Sequence, residues 1–428
     1  MAKYSSKERL IASILSSSPR VKGWIKKVYV ILNYCIYRKN YRYKIFNANL
    51  EKILNLIQPL NDCDETFFGY YDKSPENTRG WIIFNETRYT TSKKPSSNNP
   101  IWINILNRDT NECIVVGDSF SYNWQQGSRA QWIDENRLIH NYYDRIYKSA
   151  IFNIQTQVVT KTFDYPVQDT YKDEYFLSIN YSRIMRLRPD YGYRNLPPLS
   201  DNEMNRFEND GIWKVDISSG NSSLAVGLKD VVSLSKRNGF DNALHKVNHV
   251  MISPDGKRFI FIHRWYVGKQ RFDRLIISDF SKMKVLADEK MVSHMCWVDD
   301  NTLFGYLRNN GKDAFYFIDI NNGNYKECSV LTSLGNGDGH PSCHGKWVTI
   351  DTYPDKSLMQ HLYLYNILTD DVYNLLEVKH GLNYKGESRC DLHPRFSPDG
   401  NRIYFDTVYE GCRKLAYIDV SSIVNKHI

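Results

Sequence analysis

From about residue 74 to residue 424 the chain repeats one rhythm: a polar turn, a run of alternating apolar and polar residues, then another polar turn. One half of the unit carries a turn of the Asp-Gly or Asp-Asn kind. It reads SPENTRGWIIFNE (74–86), WIDENRLIHNY (132–142), KDEYFLSIN (172–180), SPDGKRFIFIH (253–263), WVDDNTLFGYL (297–307), HGKWVTIDTY (344–353) and SPDGNRIYFDT (397–407). Asp-Gly between alternating runs signals a hairpin, because Gly accepts the positive φ of the turn. A second half follows each first half: WINILNRDTNE (102–112), AIFNIQTQ (150–157), GIWKVDISSGN (211–221), RLIISDFSKMK (274–284), AFYFIDINNGN (314–324), HLYLYNILTDD (361–371) and KLAYIDVSSI (414–423). Two hairpins make a four-stranded blade. A lone blade cannot bury both faces, so copies stack around an axis until the ring closes. The pattern predicts an all-β fold, a seven-bladed β-propeller over residues 61–428, preceded by a short helical N-terminal extension over 1–60. Uneven spacing points to loop insertions, the largest including RPDYGYRNLPPLSDNE (188–203). A second stretch, SKRNGFDNALHKVNH (235–249), leads into the fourth blade, and insertions of this kind are usually functional loops. Segment FFGYYDKSP (67–75) is the candidate for the strand that closes the ring.

In the extension, Trp24, Val28, Ile31, Leu32 and Cys35 recur at helical spacing, with Lys22, Lys26 and Lys27 turned partly away. Arg20 to Lys44 contains no acid, although the chain as a whole carries a net charge of only +8. The favoured reading is a helix packed on the propeller with a solvated basic face. The alternative is a contact of residues 20–46 with a membrane surface, where Lys and Arg meet anionic lipid. No nucleic-acid partner is expected, because no recognised binding module surrounds the tract. The first residues, MAKYSSKERLIASILSSS, do not read as a signal peptide. The expected location is therefore the cytoplasm, with the inner membrane face as the alternative's site. The 8 Cys include no CxxC pair and read as free thiols.

Chemistry is expected at the inner strands, whose ends converge on the axis. His245 and His249 precede SPDGKR, His294 precedes WVDDN, His340 and His344 precede KWVTID, and His393 precedes SPDGNR. Asp338 and Asp391 accompany them. Such a cluster suits a divalent cation such as Mn²⁺, or a general base near neutral pH. Interblade hydrogen bonding is the competing reading for any one of these imidazoles. A second constellation is basic and aromatic: Arg183, Arg186, Arg188, Arg194, Tyr181, Tyr191 and Tyr193 in one stretch, Arg264, Trp265, Arg271 and Arg274 in another, and Trp124, Gln125, Gln126 and Arg129 in a third. Arg forks grip carboxylates and rings stack on flat faces, which describes a pocket for an acidic sugar. Arg389 beside Asp391 joins the same expected substrate-binding set. No GxSxG, Gly-rich phosphate loop, HExxH or GxGxxG after a strand is present, which disfavours serine hydrolases, kinases and Rossmann enzymes.

Over roughly residues 240 to 420 the motifs resemble those of the oligogalacturonate lyases, seven-bladed propellers related to TolB-type repeats. The resembling segments are HKVNHVMISPDGKRFIFIHRW, SHMCWVDD, DGHPSCHGKWVTIDTYPD and RCDLHPRFSPDG. Position by position, the resemblance implies a catalytic base at His249 or His245, and metal ligands at His294 and His393; Arg264, from the basic constellation, joins the expected catalytic set. Two positions depart from the family. Its earlier His is Asp391 here, and its Gln falls on Ser388, with His340 placed to make up the ligand set. The implied reaction is β-elimination on a uronic acid with Mn²⁺ as cofactor. The function expected is thus a metal-dependent, lyase-like enzyme acting on an acidic saccharide. One alternative is a non-catalytic saccharide-binding or scaffold propeller in cell-surface polysaccharide biosynthesis. Another is a glycosyl-transfer enzyme of such a pathway.

Overall fold

Alternation in each half-repeat resolves into antiparallel hairpins, and the hairpins into seven sheets. The computed structural model describes residues 19–47, 50, 55–60, 65–237 and 239–427. The first 18 residues, which carry the apolar run LIASIL, and Cys63 lie outside them. Among the described residues no two cysteines join in a disulfide.

From the axis outward, blade 1 holds Glu65–Phe67, Trp81–Thr87, Ile101–Asn107 and Cys113–Ser119. Blade 2 holds Gln131–Trp132, Arg137–Asp144, Ile146–Asn153 and Val158–Phe163, and blade 3 Asp169–Tyr171, Tyr175–Ile179, Gly211–Asp216 and Ser222–Gly227. Blade 4 is Leu244–Ile252, Phe259–Val267, Gln270–Ser278 and Met283–Ala287, and blade 5 Val292–Trp297, Thr302–Asn309, Lys312–Asp319 and Tyr325–Glu327. Blade 6 is Ser342–His344, Trp347–Asp351, Met359–Asn366 and Val372–Lys379. Blade 7 supplies only three strands of its own, Arg395–Phe396, Arg402–Thr407 and Lys414–Asp419. Apolar side chains such as Ile82, Leu138, Phe176, Ile260, Phe304, Val348 and Ile403 fill the spaces between blades and are fully or almost fully buried. The turn glycine Gly256 has φ +71° and abuts the Tyr171 ring, where an added Cβ would sit 2.4 Å from it. That turn therefore needs glycine both for its backbone and for its contact with blade 3.

The ring closes differently from the expectation for FFGYYDKSP. Asn55–Leu56 pairs with Lys414–Asp419 and supplies the missing outer strand of blade 7. Phe67 instead belongs to the innermost strand of blade 1. Glu76 then ties the two ends of the chain together, accepting from Arg402 Nε (3.0 Å) and the Tyr404 hydroxyl (2.8 Å) of blade 7. The extension is helical only in part. Helix α1 spans Pro19–Tyr37, and Tyr43–Ile45 adds a fifth strand to the edge of blade 6. The expected packing of the α1 apolar face on the propeller is not found: Trp24, Ile31 and Leu32 are exposed. No helix among the described residues is long and apolar enough to cross a membrane.

Candidate functional site

The axis is assembled by one recurring device. In four blades the fifth residue of the second strand is a carboxylate or carboxamide: Asn85, Asn141, Asp351 and Asp406. Each bonds the loop at the head of a blade. Asp406 accepts from the amides of Phe68 (3.0 Å) and Gly69 (2.9 Å) and from Arg395 Nη2 (3.2 Å). Asp351 accepts from the amides of His340 (2.7 Å) and His393 (3.0 Å). Asn141 brackets Val167, donating to its carbonyl at 2.8 Å and accepting from its amide at 2.6 Å. One of them, Asp351, bonds the amide of His393, whose backbone is in a disfavoured region shared by two other residues at the axis. His249 and His393 have φ +51° and +48°, and Arg129, at the head of blade 2, has φ +56°. Side chains with a Cβ disfavour this left-handed region, so the surrounding bonds must hold them there.

Four imidazoles meet as a result. The His340 ring centroid lies 4.0 Å from that of His294 and 4.2 Å from that of His393, and His249 lies 5.4 Å from His294. His340, Asp391 and His393 place ligand atoms within 4.8 Å of one another. The Nδ1 of His340 is 2.9 Å from Asp351 Oδ1, which leaves Nε2 directed elsewhere. Nε2 of His340 and Nε2 of His393 are buried and have no hydrogen-bond partner among the described residues. A buried nitrogen without a partner is costly, and such atoms call for an explanation in a bound ion or water.

Charge states follow from burial and neighbours. Burial holds His249, His294 and His393 well below the ordinary imidazole pKa, and nearby cationic groups add to the effect. These rings are neutral near pH 7 and offer lone pairs. For His340, burial is outweighed by Asp351 and its pKa is raised, so a cation at Nε2 would have to displace the proton from that ring. For Asp391, burial pushes the carboxyl up, but Arg389 and His340 outweigh it and keep it ionised. Arg389 grips that carboxylate through Nε at 2.7 Å and Nη2 at 2.6 Å. Imidazole nitrogen with one carboxylate is a donor set that fits a first-row divalent cation, and the Asp351–His340 pair orients a ligand as a carboxylate does behind a metal-bound His.

Two tyrosines wall the cluster. Tyr70 stacks its ring 5.6 Å from that of His249 and lies 5.1 Å from His393, while Tyr71 lies 5.5 Å from His340 and 5.7 Å from His294. The Tyr70 hydroxyl bonds His249 Nδ1, and the Tyr71 hydroxyl donates to the Met295 carbonyl at 2.9 Å. Gly69 allows their approach: an added Cβ would stand 2.6 Å from the Gln126 backbone. On the His249 side lies a basic group. Lys246 is fully buried with no partner for Nζ among the described residues, and burial drives its pKa well down. Arg264 bonds Asp273 through Nε, and its Nη1 has no hydrogen-bond partner among the described residues. Arg188 holds Asp190 at 2.8 Å and covers the Tyr191 ring at 4.8 Å. Tyr191, His249, Asn248 and Gln126 help to line a cavity of about 10 Å³, room for about one water molecule.

The sequence-derived candidates therefore divide. His249, His294, His340, Asp391, His393, Arg389, Arg188, Tyr191 and Arg264 gather at or beside the axis. Arg129 stands next to it, paired with Asp72 through two 2.9 Å bonds under Tyr70. Gln125 supports it from behind, donating to the Arg389 carbonyl at 2.7 Å. His245 turns into the blade wall, bonded to His263 (3.0 Å) and the Phe240 carbonyl (2.9 Å). His344 lies beside Phe396, away from the cluster. Arg183 is locked onto Asp210 at 2.6 Å, and Arg186 reaches the exposed Asp201. Trp124 donates to the Lys93 carbonyl at 2.7 Å, and Trp265 stacks on Phe272 and His263. Ser388 bonds the Lys385 carbonyl at 3.0 Å. Missed by sequence reasoning were Tyr70, Tyr71, Lys246, Asp351 and Asp406. For the last two a signal existed: Asn or Asp recurs at one place in IIFNE, LIHNY, VTIDT and IYFDT.

The fold is similar to that of the oligogalacturonate lyase from Vibrio parahaemolyticus, with 15% identity, a TM-score of 0.57, and 88% of this chain and 96% of that one covered. TolB from Acinetobacter baumannii aligns over 80% of each chain at 12% identity and a TM-score of 0.39. The β-propeller domain of the Trilobed protease from Pyrococcus furiosus aligns over 83% of this chain and 95% of that one, at 11% identity and a TM-score of 0.47. No protein-family profile and no curated protein matches the chain by sequence.

Proposed function

We propose that this propeller is a metal-dependent, lyase-like enzyme that cleaves an acidic, uronate-containing saccharide by β-elimination. What carries the reading is a pair of buried imidazole nitrogens, His340 Nε2 and His393 Nε2, with no hydrogen-bond partner among the described residues, beside an ionised Asp391. The likeness in fold to an oligogalacturonate lyase supports it.

A divalent cation such as Mn²⁺, held by His340, Asp391 and His393 with His294 alongside, would neutralise the uronate carboxylate and acidify the adjacent carbon. The remaining steps belong to the chain's own groups. The reaction breaks the C5–H bond, forms the C4=C5 double bond and expels the C4 oxygen. His249, neutral because it is buried, takes the C5 proton. For its Nε2 to accept, Nδ1–H must donate to the Tyr70 oxygen, which is the partner Nδ1 has. Burial keeps the hydroxyls of Tyr70 and Tyr191 protonated, so they can return a proton to the leaving oxygen. Arg188, Arg264 and Arg389, each held by an Asp, would offer their remaining N–H groups to the sugar carboxylate, and a low-dielectric site would strengthen each contact.

The purified protein is expected to hold near-stoichiometric divalent metal, and His340→Ala with His393→Ala to lose it. His249→Ala is expected to keep the metal but to lower formation of unsaturated uronate, read by ultraviolet absorbance, by about a hundredfold or more. A folded protein with neither metal nor turnover on acidic oligosaccharides would leave a non-catalytic binding propeller in its place.

A further inference from the structure

We propose that helix α1 and the strand that follows it form a membrane-surface anchor that lies in the headgroup layer of an anionic leaflet. The apolar stripe seen in the sequence is the part of α1 that faces away from the protein. Trp24 is 67% exposed, Ile31 52%, Leu32 56% and Ile36 72%, and the aromatics Tyr37, Tyr43 and Phe46 continue the patch beyond the helix. A patch of this kind on a soluble body marks an interaction surface.

Charge identifies the occupant. Arg20, Lys22, Lys26, Lys27, Arg38, Lys39, Arg42 and Lys44 fall in a stretch with no Asp or Glu. Lys27, Arg38, Arg42 and Lys44 are exposed beside the apolar patch. Trp, Tyr and Phe between cations suit the boundary between headgroups and acyl chains, where rings sit half-wet and Lys and Arg reach lipid phosphate. A second copy of the chain fits less well, because pairing this surface with itself would oppose cation to cation. Spanning is excluded for this helix, which is not apolar enough to cross a bilayer.

The anchor is fastened to one place on the propeller. Tyr43–Ile45 pairs with the outer strand of blade 6, Lys379 covers the Tyr34 ring at 5.2 Å, and Lys39 and Tyr41 both reach Glu377. Docking would hold the outer edge of blade 6 against the leaflet. This places the axis cluster at a fixed orientation to the surface, whatever chemistry occurs there.

The test is co-flotation of the full chain with phosphatidylcholine vesicles, with and without phosphatidylglycerol. The wild type should float with the anionic vesicles, weakly with the neutral ones, and be released by salt. K27Q/R38Q should lower partition by about 25-fold, or about fivefold per cation, and I31E/L32E should abolish flotation. All four side chains are exposed, so unchanged circular dichroism and thermal unfolding are expected. Equal flotation on both vesicle types, no flotation at all, or no response to either variant would overturn the proposal. So would a dimer in light scattering that I31E/L32E converts to a monomer.

Discussion

Asp406 ties blade 7 to the loop that follows the innermost strand of blade 1. Its carboxylate is the acceptor for two backbone amides and a buried guanidinium, and truncation strands all three donors away from water. Asp406→Ala should cost about 3–5 kcal/mol in denaturant unfolding. Buried histidines outside the axis set a second residue-scale expectation. Burial pushes His140 and His380 down to about 4. Both are neutral in the folded and unfolded chain above the unfolded pKa of roughly 6.5, so their contribution to stability is complete there. As pH falls from that value toward 4, the unfolded chain takes the proton first and stability drops, by up to about 3 kcal/mol per histidine. The melting temperature should therefore fall steadily on acidification, and His140→Gln should reduce that slope.

Among the elements, the insertion of blade 3 covers one side of the site. Helix α2, Tyr181–Leu187, is capped by Asn180, whose side chain accepts from the Arg183 amide at 3.0 Å. The chain then turns back so that Tyr191 lies over His249. Arg194 bonds Glu387, and Glu387 also takes Lys94 at 2.6 Å, so one carboxylate links the insertion, a loop of blade 1 and the approach to blade 7. Glu387→Ala should loosen the insertion without unfolding the blades. Hydrogen exchange of residues 188–196 should rise severalfold while the inner strands keep their protection, since local opening and global unfolding are separate events.

For the whole molecule, stability depends on closing the ring. The first and last blades meet through Asn55–Leu56, Glu76 and Glu65, the last of which accepts from the Arg413 amide at 2.9 Å. A chain starting at residue 39 keeps all of these and should melt like the full protein. A chain starting at residue 61 leaves blade 7 with a bare edge and should melt many degrees lower and less cooperatively, as scanning calorimetry would show. An open edge strand also invites pairing between chains, so light scattering of the shorter form should show association.

Seven blades could be read from the residues alone, because a period-2 pattern interrupted by Gly and Asp turns is a local property, repeated seven times. The meeting of His249, His294, His340 and His393 was legible for the same reason, since equivalent places in stacked repeats share an axis. Choosing His249 over His245 was not. A register shift between Asn248 and Met251 turns one imidazole to the centre and leaves the other in the wall. Tyr70 and Tyr71 were equally hidden, as their partners lie some 180 to 320 residues away in the sequence and no local periodicity encodes such contacts. The closing strand is two residues long, too short to show any period. Helix α1 gave the converse case: its stripe was plain in the sequence, but whether an apolar stripe is covered depends on where the neighbouring blades leave space, and here they leave it bare.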